Sequence, residues 1–120
     1  MKITELAFTC YPVTDLRRAR AFYEGLLGLK PTRVFGDDTK AWIEYDLGPN
    51  TLAIGNLVPD WQPGRTGGCV GLEVEDFDAA LRELRDGGAS VQGPIQTPVC
   101  RLAVVADPDG NTLLVHRRGH

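Results

Sequence analysis

Val13-Thr14-Asp15-Leu16 returns sixty-one positions later as Val74-Glu75-Asp76-Phe77, and the same shift carries Asn50-Thr51-Leu52 onto Asn111-Thr112-Leu113. One offset joining both ends of two segments, without a gap, identifies two copies of a single structural unit. The first copy reads as 3–57 and the second as 69–118. Between them, Val58 to Gly68 holds two prolines and three glycines and reads as the linker. At 120 residues the chain fits one domain, 1–120, in which two half-domains share a core. The function is then expected to lie between the copies.

Outward from those motifs, each copy gives the same order of elements. In the first, the apolar, β-compatible stretch Ile3 to Val13 ends at the Thr14-Asp15 pair, which starts a helix. Leu16, Ala19, Phe22 or Tyr23, Leu26 and Leu27 recur at helical spacing until Gly28. Three β-like stretches follow, Pro31 to Phe35, Ala41 to Leu47 and Thr51 to Leu57, separated by Gly36-Asp37-Asp38 and Gly48-Pro49-Asn50. In the second copy, Cys69 to Val74 reads as a strand and Asp76 caps a helix through Phe77, Ala80, Leu81 and Leu84, stopped by Gly87-Gly88. Ser90 to Gln92 is a short strand interrupted by Pro94 and Pro98, followed by strands at Arg101 to Ala106 and Thr112 to His116. The turn Asp107-Pro108-Asp109-Gly110-Asn111 suits a tight hairpin. The fold class is α+β, two tandem βαβββ modules. A four-stranded sheet with one helix leaves its other face in need of cover, and two such faces curling toward each other enclose a cleft.

Composition narrows the function classes. Hydrophobic residues make up 42% and charged residues 24%, ordinary for a folded domain. A net charge of -3 and a pI near 5.3 disfavour nucleic acid and anionic membrane as partners. No apolar run reaches spanning length, and no leader pattern is present. Cys10, Cys69 and Cys100, an odd set without CxxC spacing, read as reduced thiols of a cytoplasmic protein.

The residues Val13-x-Asp15-Leu16, then Ala19-x-Ala21-Phe22-Tyr23-x-x-x-Leu27-Gly28-Leu29, then Asp107-Pro108-Asp109-Gly110-Asn111 before the last strand, resemble the vicinal oxygen chelate superfamily. This superfamily comprises glyoxalase I, extradiol dioxygenases, fosfomycin-resistance enzymes and bleomycin-resistance proteins. The resemblance covers nearly the whole chain and is specific for fold more than for chemistry. Metal-dependent members resemble one another in four cleft-facing positions, usually His, Glu or Gln. Seven residues before Asp15 stands Phe8, three after Asn50 stands Ala53, and the repeat offset adds Cys69 and Leu114. Phenyl, methyl and isobutyl groups coordinate nothing, and one thiol does not offset an ion's lost hydration. A register error of one substitutes Thr9, Leu52 or Ile54, Val70, and Leu113 or Val115, with the same result. Only a shift of two assembles a soft-metal cluster of Cys10, Cys69 and His116. No metal and no cofactor are therefore expected.

The candidate ligand-binding residues are Phe8, Trp42, Glu44, Ala53, Cys69, Glu73, Leu114 and His116. Strand alternation puts Trp42 with Glu44, Cys69 with Glu73, and Leu114 with His116 on common faces. Trp42 and Trp61 offer flat rings for a planar or cationic ligand, although Trp42 reads equally as packing and Trp61 more readily as a loop anchor. Glu44 offers a negative charge, or a base if its pKa is raised, but is more commonly a solvated edge carboxylate. His116 offers an acid or base and reads more readily as a partly exposed strand-end residue. Tyr11 and Arg101 are further rim candidates, more often plain surface residues, and Cys10 and Cys100 read as small apolar groups.

The resemblance, with the missing donors, implies a small organic ligand held by sequestration, as in bleomycin-resistance proteins, and a homodimer. Two alternatives stay open: a metal-dependent glyoxalase-type lyase or isomerase, or a dioxygenase, and a non-catalytic structural or regulatory dimer.

Overall fold

The computed structural model describes residues 1–2 and 4–119. Ile3, the expected start of the first strand, and His120 lie outside the described residues. The chain divides into two units, Met1–Pro63 and Gly64–His120, so the division falls within the segment read as a linker.

In the first unit the order is β1 (Thr9–Pro12), α1 (Leu16–Arg20) continuing into a wider π-helical turn (Ala21–Leu26), β2 (Arg33–Gly36), β3 (Ala41–Leu47) and β4 (Asn50–Gly55). The strands form one sheet in the order β1-β4-β3-β2, with β1 parallel to β4 and the other pairs antiparallel. The second unit repeats this with β5 (Val70–Glu73), α2 (Phe77–Asp86), β6 (Ser90–Gln96), β7 (Cys100–Ala106) and β8 (Thr112–Arg118), ordered β5-β8-β7-β6. Thr9–Pro12 and Val70–Glu73 stand at the offset of the sequence motifs, and so do the helix caps. Asp15 Oδ1 accepts from the Arg18 N–H at 3.1 Å and Asp76 Oδ1 from the Ala79 N–H at 3.0 Å. Each satisfies a backbone donor that the first helical turn leaves without an intrahelical acceptor.

Each helix covers one face of its sheet. In the first unit Ala41, Ile43 and Tyr45 of β3, Leu52 and Ile54 of β4, and Tyr11 of β1 are buried with Leu16, Ala19, Phe22 and Tyr23. The sequence leaves open which of Phe22 and Tyr23 turns inward. Both do, and the turn there is widened, closed by the Leu27 N–H on the Phe22 carbonyl at 2.9 Å. Tyr23 stacks on Tyr45, and the Tyr45 hydroxyl donates to Glu24 Oε2 at 2.8 Å. Arg20 Nε donates to the same oxygen at 2.6 Å, so the polar end of a buried ring is satisfied. In the second unit Phe77, Leu81 and Leu84 of α2 are buried together with Ala103, Val105, Leu113 and Val115.

Two expectations are corrected. The first strand begins at Thr9, and residues 4–8, including Leu6 and Phe8, precede it with exposed side chains. The strand interrupted at Pro94 is continuous from Ser90 to Gln96, and a one-residue bulge between Gln92 and Ile95 absorbs the proline. That strand lies at the sheet edge, where a residue without an N–H costs no ladder bond. The two copies also differ at the last hairpin: Leu47 pairs with Asn50 across Gly48-Pro49, whereas Asp107 bonds to Asn111 across Pro108-Asp109-Gly110. The longer loop places Gly110 at φ +85°, the left-handed residue of a three-residue hairpin. Asp107 Oδ1 accepts the Asp109 and Asn111 N–H groups, and Asn111 Oδ1 accepts the Gly64 N–H at 3.0 Å.

Replacing Asp76 with alanine leaves the Ala79 N–H without its acceptor. The expected outcome is a loss of about 1 kcal/mol, read as a lower urea midpoint with an unchanged slope.

Candidate functional site

The face of each sheet that its helix does not cover carries Trp42, Glu44 and Asp46 in the first unit and Glu73 and His116 in the second, and strand register fixes their neighbours. In the first unit Trp42 of β3 lies opposite Gly55 of β4 and Phe35 of β2; Glu44 lies opposite Ala53 and Arg33; Asp46 lies opposite Thr51. Directly opposed residues share a face. Cys10 of β1 is the partner of Ala53, so it joins the same face, and Phe8 reaches it by packing edge-on against Trp42 with ring centroids 5.2 Å apart.

Trp42 is held from three directions. Phe8 meets its ring, its Nε1 donates to Glu44 Oε2 at 2.9 Å, and its six-membered ring lies over Gly55. A Cβ on Gly55 would stand 3.1 Å from Trp42 Cε3 and 3.2 Å from the Ala41 carbonyl oxygen, so glycine makes room for the indole.

Glu44 is not a base with a raised pKa. Arg33 Nε donates to Glu44 Oε1, and this bond, followed by the one from Trp42, lowers its pKa from the ordinary carboxylate value. Arg33 Nη2 also donates to Asp46 Oδ1 at 2.6 Å, and Thr51 Oγ1 donates to the same oxygen at 2.9 Å. Asp46 is lowered as well, chiefly through Thr51 and then Arg33. The negative charge foreseen at Glu44 is thus already answered by a guanidinium that the sequence did not single out. The signal was present in the alternation of Arg33 and Phe35 along an exposed edge strand, but the pairing of β2 with β3 is needed to use it.

Ala53 offers no exposed surface, since its methyl is fully buried between Cys10 on one neighbouring strand and Glu44 on the other. The Cys10 thiol is pushed up to about 12 by burial, with the Glu44 charge adding to it. It is therefore a neutral thiol at physiological pH.

In the second unit the uncovered face holds Gly71 and Glu73 of β5, Leu114 and His116 of β8, and Leu102 and Val104 of β7, with register pairs Gly71–Leu114, Glu73–His116, Leu102–His116 and Val104–Leu114. Cys69 precedes β5 and is exposed. Glu73 Oε1 lies 2.6 Å from His116 Nδ1, and Glu73 Oε2 accepts the Arg118 N–H at 2.7 Å. These two bonds, the backbone one first, lower the Glu73 pKa.

Tyr11 and Arg101 are not rim residues. Tyr11 is buried on the helix side, and Arg101 lies over the Phe77 ring, 4.5 Å from its centroid, with Nη2 on Asp78 Oδ1 at 2.9 Å. Trp61 sits outside any strand or helix, 38% exposed.

Among the described residues no group of three His, Cys, Asp or Glu side chains stands close enough to hold a metal ion. Phe8, Ala53, Cys69 and Leu114, the positions that the resemblance implies for metal ligands, carry no side-chain oxygen or nitrogen donor, and this set does not fit such an ion. No helix among the described residues is long and apolar enough to cross a membrane.

The fold and the motifs find their counterpart in known proteins. Residues 5–115 match the model of the Glyoxalase/Bleomycin resistance protein/Dioxygenase superfamily, and the chain belongs to that superfamily. It is similar to a protein of Salmonella typhimurium named lactoylglutathione lyase, 31% identical over 118 residues that cover 88% of this chain and 86% of that protein. A lactoylglutathione lyase of Haemophilus influenzae is 28% identical, covering 88% and 87%. Among solved structures, TnmS3, an antibiotic binding protein from Streptomyces sp. CB03234, superposes with a TM-score of 0.82 at 27% identity, covering 99% of each chain.

Thiol labelling separates the cysteines. With a charged disulfide reagent at neutral pH, Cys69 is expected to react first, as the exposed thiol, while Cys10 and Cys100 react only on unfolding. Cys69→Ser then removes the fast phase, and a fast phase that survives this substitution contradicts the assignment.

Proposed function

We propose that this protein binds a small organic molecule, without a metal, on the uncovered faces of its sheets. The observation that carries the reading is the chemistry at the four ligand positions: three hydrocarbon side chains and one thiol stand where several oxygen or nitrogen donors would have to converge. What those faces offer is shape and flat surface. Trp42 is fixed by Gly55, Phe8 and Glu44, and Phe35 is its neighbour on β2, so an aromatic ligand meets a rigid ring at little entropic cost. The likeness to an antibiotic binding protein supports the same reading.

The protein works in the cytoplasm as a homodimer in this proposal. Three unpaired thiols support a reducing compartment. Exposed apolar residues on the edge strands, Val34 and Phe35 on β2 and Ile95 on β6, support a second copy as cover.

A second reading, a metal-dependent lyase or isomerase, draws support from the names of the curated relatives at about this level of identity. Metal analysis separates the two. After dialysis against nickel, zinc, iron or manganese and removal of excess, the purified protein is expected to retain far less than one ion per chain. Stoichiometric metal overturns the proposal in favour of the lyase.

Native mass spectrometry of protein purified from its host is expected to reveal a co-purifying small molecule. With that molecule, Trp42→Ala weakens binding by about tenfold, read by calorimetry, through loss of the stacking surface.

A further inference from the structure

We infer that His116 and Glu73 form a proton-accepting pair that takes the hydroxyl of a phenol or enol, whose apolar body lies on Leu114, Leu102 and Val104. The inference rests on the reading of the uncovered faces as small-molecule surfaces and names the chemistry of one of them. Glu73 is an ionised carboxylate held by both oxygens: Oε2 accepts the Arg118 N–H at 2.7 Å and Oε1 faces His116 Nδ1 at 2.6 Å. A carboxylate only accepts, so the hydrogen of this bond belongs to Nδ1. In the neutral imidazole Nε2 is then the acceptor. Among the described residues nothing bonds to Nε2.

The neighbours of the ring select the ligand. His116 pairs across β8 and β7 with Leu102, which pairs in turn with Ile95 of β6, and the adjacent row is Gly71, Leu114, Val104 and Gln92. An oriented acceptor at the edge of an aliphatic surface, beside a glycine that leaves space, matches an apolar molecule carrying one weakly acidic hydroxyl. A carboxylic acid fits less well, since the fixed charge nearest the ring is the negative Glu73. When the ligand hydroxyl gives its proton to Nε2, the O–H electron pair stays on the ligand oxygen, Nδ1 keeps its hydrogen, and Glu73 faces the resulting imidazolium. Glu73 is a positioning residue in this scheme.

The charged and titratable surroundings are few. On β5 the group facing the ring is Glu73. On β7 the facing residue is Leu102, while Arg101 points to the helix side and is engaged by Asp78, and Cys100 lies one pair further along, opposite Arg118. On β8 itself Arg117 Nη1 stands 3.8 Å from Glu73 Oε2 and Arg118 adds its charge near the strand end.

The test uses 4-nitrophenol, whose phenolate absorbs apart from the phenol, with 4-nitroanisole as the same body without a hydroxyl. On the wild-type chain 4-nitrophenol is expected to bind with growth of the phenolate band and with an affinity about tenfold above that of 4-nitroanisole. His116→Phe abolishes the band and the difference between the two probes. Glu73→Gln keeps a side chain of the same size but removes the charge facing the imidazolium, so the phenolate band shrinks while 4-nitroanisole binds as before, a split that a merely structural role does not produce. Circular dichroism establishes that both variants are folded, and if His116→Phe is not, the loss of the band in Glu73→Gln decides. Equal binding of the two probes, or a phenolate band unchanged in Glu73→Gln, overturns the inference and leaves the small-molecule reading standing. Binding of neither probe also overturns it, while the small-molecule reading is judged by the co-purifying ligand.

Discussion

A β-sheet has two faces, and each unit of this protein has one helix to cover them. That mismatch decides where every other side chain goes. The helix face takes the residues that want to leave water: Ile43, Tyr45, Leu52 and Ile54 in the first unit, and Val105, Leu113 and Val115 in the second, against Phe22 and Tyr23 or Phe77, Leu81 and Leu84. Each such side chain contributes on the order of 1.5–3 kcal/mol when fully buried. The helix can dock only if its entry is fixed, and Asp15 and Asp76 fix it in the same way in both units. Everything that does not fit under a helix is sent to the other face, where Trp42, Glu44, Arg33, Glu73 and His116 are found. The placement of chemistry is thus a by-product of the packing problem.

Much of this architecture is legible in the amino-acid order, because a duplication writes the same constraints twice. The strand-to-helix junctions at Asp15 and Asp76 need only the cap residue and the apolar periodicity behind it. What escapes is whatever depends on two strands at once. The bulge on β6 comes from the register with β7, so Pro94 reads as a strand end when it is an edge residue set into an irregularity. The wide turn at Ala21–Leu26 leaves no mark in the apolar spacing either, since the buried Phe22 and Tyr23 continue the spacing set by Leu16 and Ala19. The first strand reads as too long because Ile3 to Phe8 has strand composition, whereas β4, its partner, pairs only with Thr9–Pro12.

The uncovered faces follow the same division. Alternation alone puts Trp42 beside Glu44, and Leu114 beside His116, since period two needs no partner strand. It cannot reveal that Arg33 answers Glu44 and Asp46 together, nor that Glu73 reaches His116, because both are cross-strand pairs. The first of these changes the chemistry read from the sequence. An isolated edge carboxylate is a candidate base or cation site; the same carboxylate bonded to a guanidinium and an indole N–H is a brace for the tryptophan ring.

Comparing equivalent rows of the two sheets shows how far duplication constrains backbone without constraining chemistry. In the first unit one row reads Pro12, Gly55, Trp42, Phe35 across β1, β4, β3 and β2. The corresponding row of the second reads Glu73, His116, Leu102, Ile95 across β5, β8, β7 and β6. The ring has changed strand. On β3 it is an indole, and the facing position on β4 must be glycine, because a Cβ there would press on both the indole and the Ala41 carbonyl. On β8 it is an imidazole, and with the less bulky Leu102 opposite there is no such demand, so the flanking strand is free to supply a carboxylate. Proline at the same place in the first unit has no side-chain acceptor to offer. A swap of bulk between two neighbouring strands therefore leaves an indole on one face and a carboxylate–imidazole pair on the other, while the strand order, the caps and the core beneath them stay the same.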